Sequence, residues 1–112
     1  MSAGVYDLKV DQGTSFGIQL QIKIDGVDQD LTGYYARSQI RKTPASSDIS
    51  ATFVCTVSVP LEGKIQVSLP TTESVSLSAG EYHYDLEIFT ANDVIVTRIL
   101  QGKVTVDQEV TR

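Results

Sequence analysis

Residues 77–86 read Leu-Ser-Ala-Gly-Glu-Tyr-His-Tyr-Asp-Leu, the pattern of a chain that turns a corner and enters a strand. Gly80 supplies the corner, and from Tyr82 the residues Tyr82, Tyr84, Leu86 and Ile88 recur on one side with the period of two of a half-buried strand. A tyrosine opening such a strand can hydrogen-bond back to the upstream backbone. Two residues later, where two packed sheets are often bridged by a cysteine, this chain has Tyr84. A bulky aromatic there fills the space between layers without a disulfide. Gly80, Tyr82 and Tyr84 are therefore read as structural residues.

The same alternation continues on both sides of this stretch. Downstream, Ala91-Asn92-Asp93 reads as a turn and Val94 to Gln101 as a returning strand, interrupted at Gly102, where a bulge or a change of sheet is expected. Upstream, Ile65, Val67 and Leu69 alternate with Lys64, Gln66 and Ser68 until Pro70 stops the strand. Thr71 to Leu77 holds the one expected helical turn, capped by Thr71 or Thr72 and bridging two sheets. Ile49 to Val59 forms another strand, with Phe53 and Cys55 on its apolar side, and Thr43 to Asp48 is a polar, mobile loop. In Tyr34 to Lys42, Ala36, Ser38 and Ile40 face inward while Tyr35, Arg37, Gln39 and Arg41 face outward. Phe16, Ile18, Leu20, Ile22 and Ile24 predict a long central strand ended by an Asp25-Gly26 turn, and Val5 to Val10 a short one before it.

Seven or eight strands with at most one short helical turn make this an all-β chain, read as an antiparallel immunoglobulin-like β-sandwich, with a small barrel as the alternative. The short spacers argue against parallel crossovers, which need about a dozen residues. The 112 residues form a single domain with polar arms at residues 1–4 and 107–112. A chain of this size buries roughly two-thirds of its unfolded surface, enough for one core. The lone cysteine, Cys55, excludes an intramolecular disulfide and reads as a small buried hydrophobe.

Fourteen acidic against nine basic residues, a net charge of −5, argue against nucleic acid as a partner. There is no apolar run of the ~20 residues that span a membrane, and the first residues lack the pattern of a secretion signal. Catalysis finds little to work with. His83 is the only histidine, and Asp85 shares its side of the strand, but no nucleophile motif accompanies them, so His83 reads as a solvated residue. One histidine and one distant cysteine fall short of a zinc site. Asp25, Asp28 and Asp30 lack the calcium-loop pattern and are accounted for by a polar hairpin connection. No catalytic, metal or cofactor residue is assigned. The densest basic spot is Arg37, Arg41 and Lys42, and one of the consecutive Tyr34 and Tyr35 must point outward. The candidate contact residues are therefore Tyr34, Tyr35, Arg37 and Arg41.

Three fragments carry a resemblance: Asp-Leu-Thr-Gly-Tyr-Tyr-Ala-Arg-Ser-Gln-Ile-Arg-Lys at 30–42, Leu-Ser-Ala-Gly-Glu-Tyr-His-Tyr-Asp-Leu-Glu at 77–87, and Val-Thr-Arg-Ile-Leu-Gln-Gly-Lys-Val-Thr-Val at 96–106. Together with the final Glu-Val-Thr-Arg, they resemble small tailed-bacteriophage virion proteins. The chain is also similar to the immunoglobulin-like N-terminal domain of phage baseplate proteins that anchor receptor-binding proteins. The resemblance implies a non-enzymatic virion structural protein, a tail, baseplate or fibre-attachment module. It would assemble in the host cytoplasm as an oligomer of symmetric copies, through contacts with other virion proteins. A capsid or neck decoration protein and a host-surface glycan or protein binder are the alternatives.

Overall fold

The computed structural model describes residues 4–108. Ten strands are present among them: β1 (Gly4–Val5), β2 (Leu8–Asp11), β3 (Phe16–Gln21), β4 (Lys23–Ile24), β5 (Val27–Asp28), β6 (Tyr35–Arg41), β7 (Ala51–Val59), β8 (Lys64–Leu69), β9 (Gly80–Phe89) and β10 (Val96–Asp107). Eight belong to one sheet in the order β1-β10-β9-β6-β7-β8-β3, with β2 also on β10, and β4 and β5 form a separate hairpin. The sheet curls into a β-sandwich because β7 changes partner along its length. Ala51 to Phe53 pair with β6, whereas Val54 to Val59 pair with β8.

The chain is all-β, as the alternation indicated, yet the pairing is mixed. β1 and β2 both run parallel to β10, with Gly4 opposite Leu100 and Leu8 opposite Val104. Short spacers exclude parallel pairing only between strands adjacent in sequence; these strands lie at opposite ends of the chain. Nor is β3 central: among the described residues it ends the sheet, paired with β8 alone. One half-buried face gives the same alternation whether a strand has one neighbour or two. Residues Gly4 and Asp107, expected in polar arms, are strand residues, Asp107 holding Lys9 at 3.1 Å. Gln108 follows β10 outside any strand, and residues 1–3 and 109–112 of the expected arms lie outside the described residues.

The core gathers the inward side chains of both layers, including Val10, Ile40, Ile65, Leu69, Leu86 and Val104. Aromatic rings connect the layers. Phe53 packs against Phe16 at 6.2 Å and edge-on against Tyr84 at 6.1 Å. Tyr84 thus occupies the inter-sheet space as expected, and its hydroxyl donates to the Tyr6 carbonyl. Tyr82 Oη donates to the Ser78 carbonyl at 2.8 Å across the corner at Gly80, whose φ of +145° suits glycine. The expected helical turn is α1 (Thr71–Ser74), but Pro70 occupies its N-cap position and no side chain caps it. Two further turns, Pro60–Glu62 and Ala91–Asp93, are 3-10.

Gly102 does not mark a bulge. The register shift in β10 lies between Arg98 and Leu100, so that Ile99 is buried and Leu100 also packs on the core. Gly102 answers a different need: a Cβ there would lie 2.3 Å from the Tyr6 carbonyl oxygen, where the N-terminal segment crosses β10. Tyr6 N–H donates to Gln101 O at 2.9 Å and Asp7 Oδ1 accepts from Lys103 N–H at 3.0 Å, so the segment between β1 and β2 is fastened on both sides of this crossing.

Candidate functional site

β6, β9 and β10 turn alternate side chains away from the core, and their register stacks these into layers. Tyr35, Phe89 and Val96 form the first, followed by Arg37, Glu87 and Arg98, then Gln39, Asp85 and Gln101, then Arg41, His83 and Lys103. The last three layers line a cleft of about 650 Å³, bordered by Val5, Asp7 and Pro44. That volume lies within the range of ligand and docking sites.

Charge in the cleft is internally matched. Arg37 Nε donates to Glu87 Oε1 at 2.9 Å and its Nη1 lies 3.3 Å from Asp93. The Glu87 hydrogen bond chiefly raises the Arg37 pKa, with Asp93 adding to it and desolvation opposing. Arg98 Nε meets Asp85 at 3.3 Å, and Lys103 meets Glu81 at 3.3 Å. Arg41 differs: it donates to the Ser46 carbonyl at 2.9 Å and to Gln39 Oε1 at 3.0 Å and has no carboxylate partner among the described residues. It ties the loop at 43–48, expected to be the mobile one, to the cleft.

The end of this face is apolar and open to solvent. Tyr35 stacks on Phe89 at 5.7 Å, and the Arg37 guanidinium lies 4.4 Å from the Phe89 ring centre, joining the charged layers to the apolar one. Beyond them the β9–β10 connection exposes Val94 at 78%, Ile95 at 48% and Val96 at 43%, beside Tyr35 at 58%. Isolated exposed apolar residues are ordinary; here three consecutive ones follow the turn beside the Tyr35–Phe89 pair.

Of the candidate contact residues, Tyr35, Arg37 and Arg41 come together on this face. Tyr34 turns to the other side, half-buried against the core beside a cavity of about 150 Å³ lined by Ile22, Leu31 and Ile88. The sequence reading missed Phe89, Val96 and Glu87. The signal was present in the Ala91-Asn92-Asp93 turn, which sets the hairpin register and places Val96 opposite Phe89.

His83 and Asp85 share the outward side, but the Asp85 carboxylate is engaged by Arg98 rather than the imidazole. Ser38 is buried, its hydroxyl donating to the Asp85 carbonyl. Burial pushes the Cys55 thiol up to about 11, away from thiolate chemistry. Among the described residues no group of His, Cys, Asp and Glu is placed to hold a metal. Asp28 lies 3.7 Å from Lys23, and Asp30 accepts from Thr32 Oγ1 at 2.6 Å and Thr32 N–H at 2.9 Å, bonds that lower its pKa.

No protein-family model matches this chain, and no curated protein does. Among solved structures it is similar to CopC from Methylosinus trichosporium OB3b, with 13% identity and a TM-score of 0.51 over 94% of this chain and 89% of that one. It is also similar to InlP from Listeria monocytogenes, with 16% identity and a TM-score of 0.49 over 91% of this chain and 26% of that one. The CopC likeness shows a shared β-sandwich fold.

Proposed function

We propose that this chain is a non-enzymatic contact module of a tailed-phage particle, assembled in the host cytoplasm, and that it docks other virion proteins through the outer face of β6, β9 and β10. One observation carries the reading. The fragments that resemble phage virion proteins, residues 30–42, 77–87 and 96–106, contain β6, most of β9 and most of β10, the strands that build this face. Its apolar end beside matched charges has the composition of a protein interface, with an aromatic anchor and an arginine next to polar layers.

We further read the sandwich as immunoglobulin-like. Supporting this are the Tyr82 to Ser78 bond at the corner, the separation of β3 and β8 from β6, β9 and β10, and the long strand β7 that pairs with both groups. Within a particle such a module suits a tail, baseplate or fibre-attachment position.

Mass spectrometry of purified particles should detect peptides of this chain at a stoichiometry set by the symmetry of its position. Their absence would overturn the virion reading. Particles assembled with a Tyr35→Ala/Phe89→Ala chain should lose the module, whereas undiminished incorporation would exclude this face as the docking surface.

A further inference from the structure

We infer that β3 is a self-complementary pairing edge through which two copies of this chain join antiparallel, with the two-fold axis at Gln19. The inference is independent of the docking face proposed above, which lies on the other layer.

β3 pairs with β8 without a register break, from Phe16 opposite Leu69 to Gln21 opposite Lys64. Ile22 N–H donates to the Gly63 carbonyl at 2.8 Å, which fixes the phase: backbone groups of even-numbered residues face β8, and those of Gly17, Gln19 and Gln21 face away. Neither end of that open side is covered among the described residues. The chain after β5 returns to the β8 side of Ile22, whose carbonyl accepts from Gln29 N–H, and before β3 the Thr14 carbonyl accepts from Ser74 Oγ of α1.

Natural sheets protect such edges with charge, proline, bulges or short strands. β3 has none of these. From Gln12 to Ile22 no residue is charged and none is proline. The opposite edge is protected: β1 has two residues and β2 four, the segment between them leaves the strand at Tyr6–Asp7, and β2 carries Lys9 and Asp11.

The occupant follows from symmetry. Gly17, Gln19 and Gln21 are evenly spaced about Gln19, so a second copy placed antiparallel sets Gln19 against Gln19 and Gly17 against Gln21. Each facing pair then exchanges backbone hydrogen bonds, and no like charges meet although each chain carries −5. The inward side chains also lack cover. Phe16, Ile18, Leu20 and Ile22 are only half-buried, whereas Ile65, Val67 and Leu69 on the neighbouring strand are 0–3% exposed. In the pair, Phe16 meets Ile22 and Ile18 meets Leu20 of the other copy.

Sedimentation equilibrium at micromolar to millimolar chain concentration tests this. The unaltered chain should dimerise, and amide exchange at Gly17, Gln19 and Gln21 should slow as concentration rises. Gln19→Lys and Gln19→Glu each set like charges against each other and should weaken the dimer by up to about fivefold. An equimolar mixture of the two should restore it as a heterodimer. Both side chains point to solvent in the monomer, so neither variant disturbs the core. A chain that stays monomeric at millimolar concentration overturns the inference, as does a dimer unaffected by either substitution.

Discussion

The outer face of β6, β9 and β10 carries Arg37, Arg41, Arg98, Lys103, Asp85 and Glu87, while that of β3, β8 and β7 shows Gly17, Gln19, Gln21, Gln66, Thr56 and Ser58, with Lys64 held by Glu62. The difference continues to the strand edges. The charged sheet ends in β1 and β2, strands fastened over Gly102, whereas the neutral sheet ends in an unprotected β3. Charged side chains restrict a surface to partners of matching pattern; a neutral edge offers backbone groups that any matching strand can take. The two layers of one core are thus suited to two modes of contact, side-chain docking on one and backbone pairing on the other.

Removing the ring that joins the layers should have the largest effect on this division. Phe53→Ala deletes contacts to both Phe16 and Tyr84 and should cost about 3–5 kcal/mol, read from chemical denaturation. Both layers should loosen together in amide exchange; loss confined to one would show that the layers are energetically separate. Gly102→Ala should act on the charged layer alone. The new Cβ would press on the Tyr6 carbonyl, costing about 1–3 kcal/mol and releasing β1 and β2 while exchange in β3 and β8 stays unchanged.

Alkali should separate the layers in another way. Burial chiefly pushes the Tyr84 hydroxyl up to about 12, with the nearby Asp7 acting in the same direction, and burial pushes Cys55 up to about 11. Both groups are acids whose folded-state pKa exceeds the unfolded value. The folded chain therefore holds more protons as pH rises, and stability falls from about pH 9 toward 12. Tyr84→Phe should flatten the upper part of that decline, and Cys55→Ala the lower part, in denaturation midpoints measured across pH. The smallest effect belongs to Arg37→Ala, whose ion pairs with Glu87 and Asp93 are screened by solvent and add little to stability. Salt should reduce even that difference, while docking through the Tyr35 and Phe89 end should weaken far more than stability does.

Much of this division was legible in the residues. The alternation of Tyr35, Arg37, Gln39 and Arg41 placed the charged side of β6 correctly, because side-chain parity is a local property. Tyr82 and Tyr84 were legible for the same reason, and Cys55 fell on the inward side with them. Strand order was not legible. Nothing local distinguishes β3 as an edge, or reveals that Leu8 lies beside Val104, since both depend on contacts between distant parts of the chain. Gly102 illustrates the limit: its lack of a side chain was visible, but the Tyr6 backbone that requires it was not. The site was legible to the same degree. Arg37 could be named from β6, whereas its partners Glu87 and Phe89 emerge only when β9 is laid beside it.

The parallel seating of β2 on β10 has a consequence in time. Leu8 finds Val104 only after the long stretch of chain between them has been synthesised, whereas β7 and β8 are neighbours in sequence and can pair early. Contacts between such distant residues slow folding toward the millisecond-to-second range of β-rich domains. While translation continues, the first strand waits without a partner. The neutral layer should therefore mature first, and the segment crossing Gly102 should be the last to lock into place.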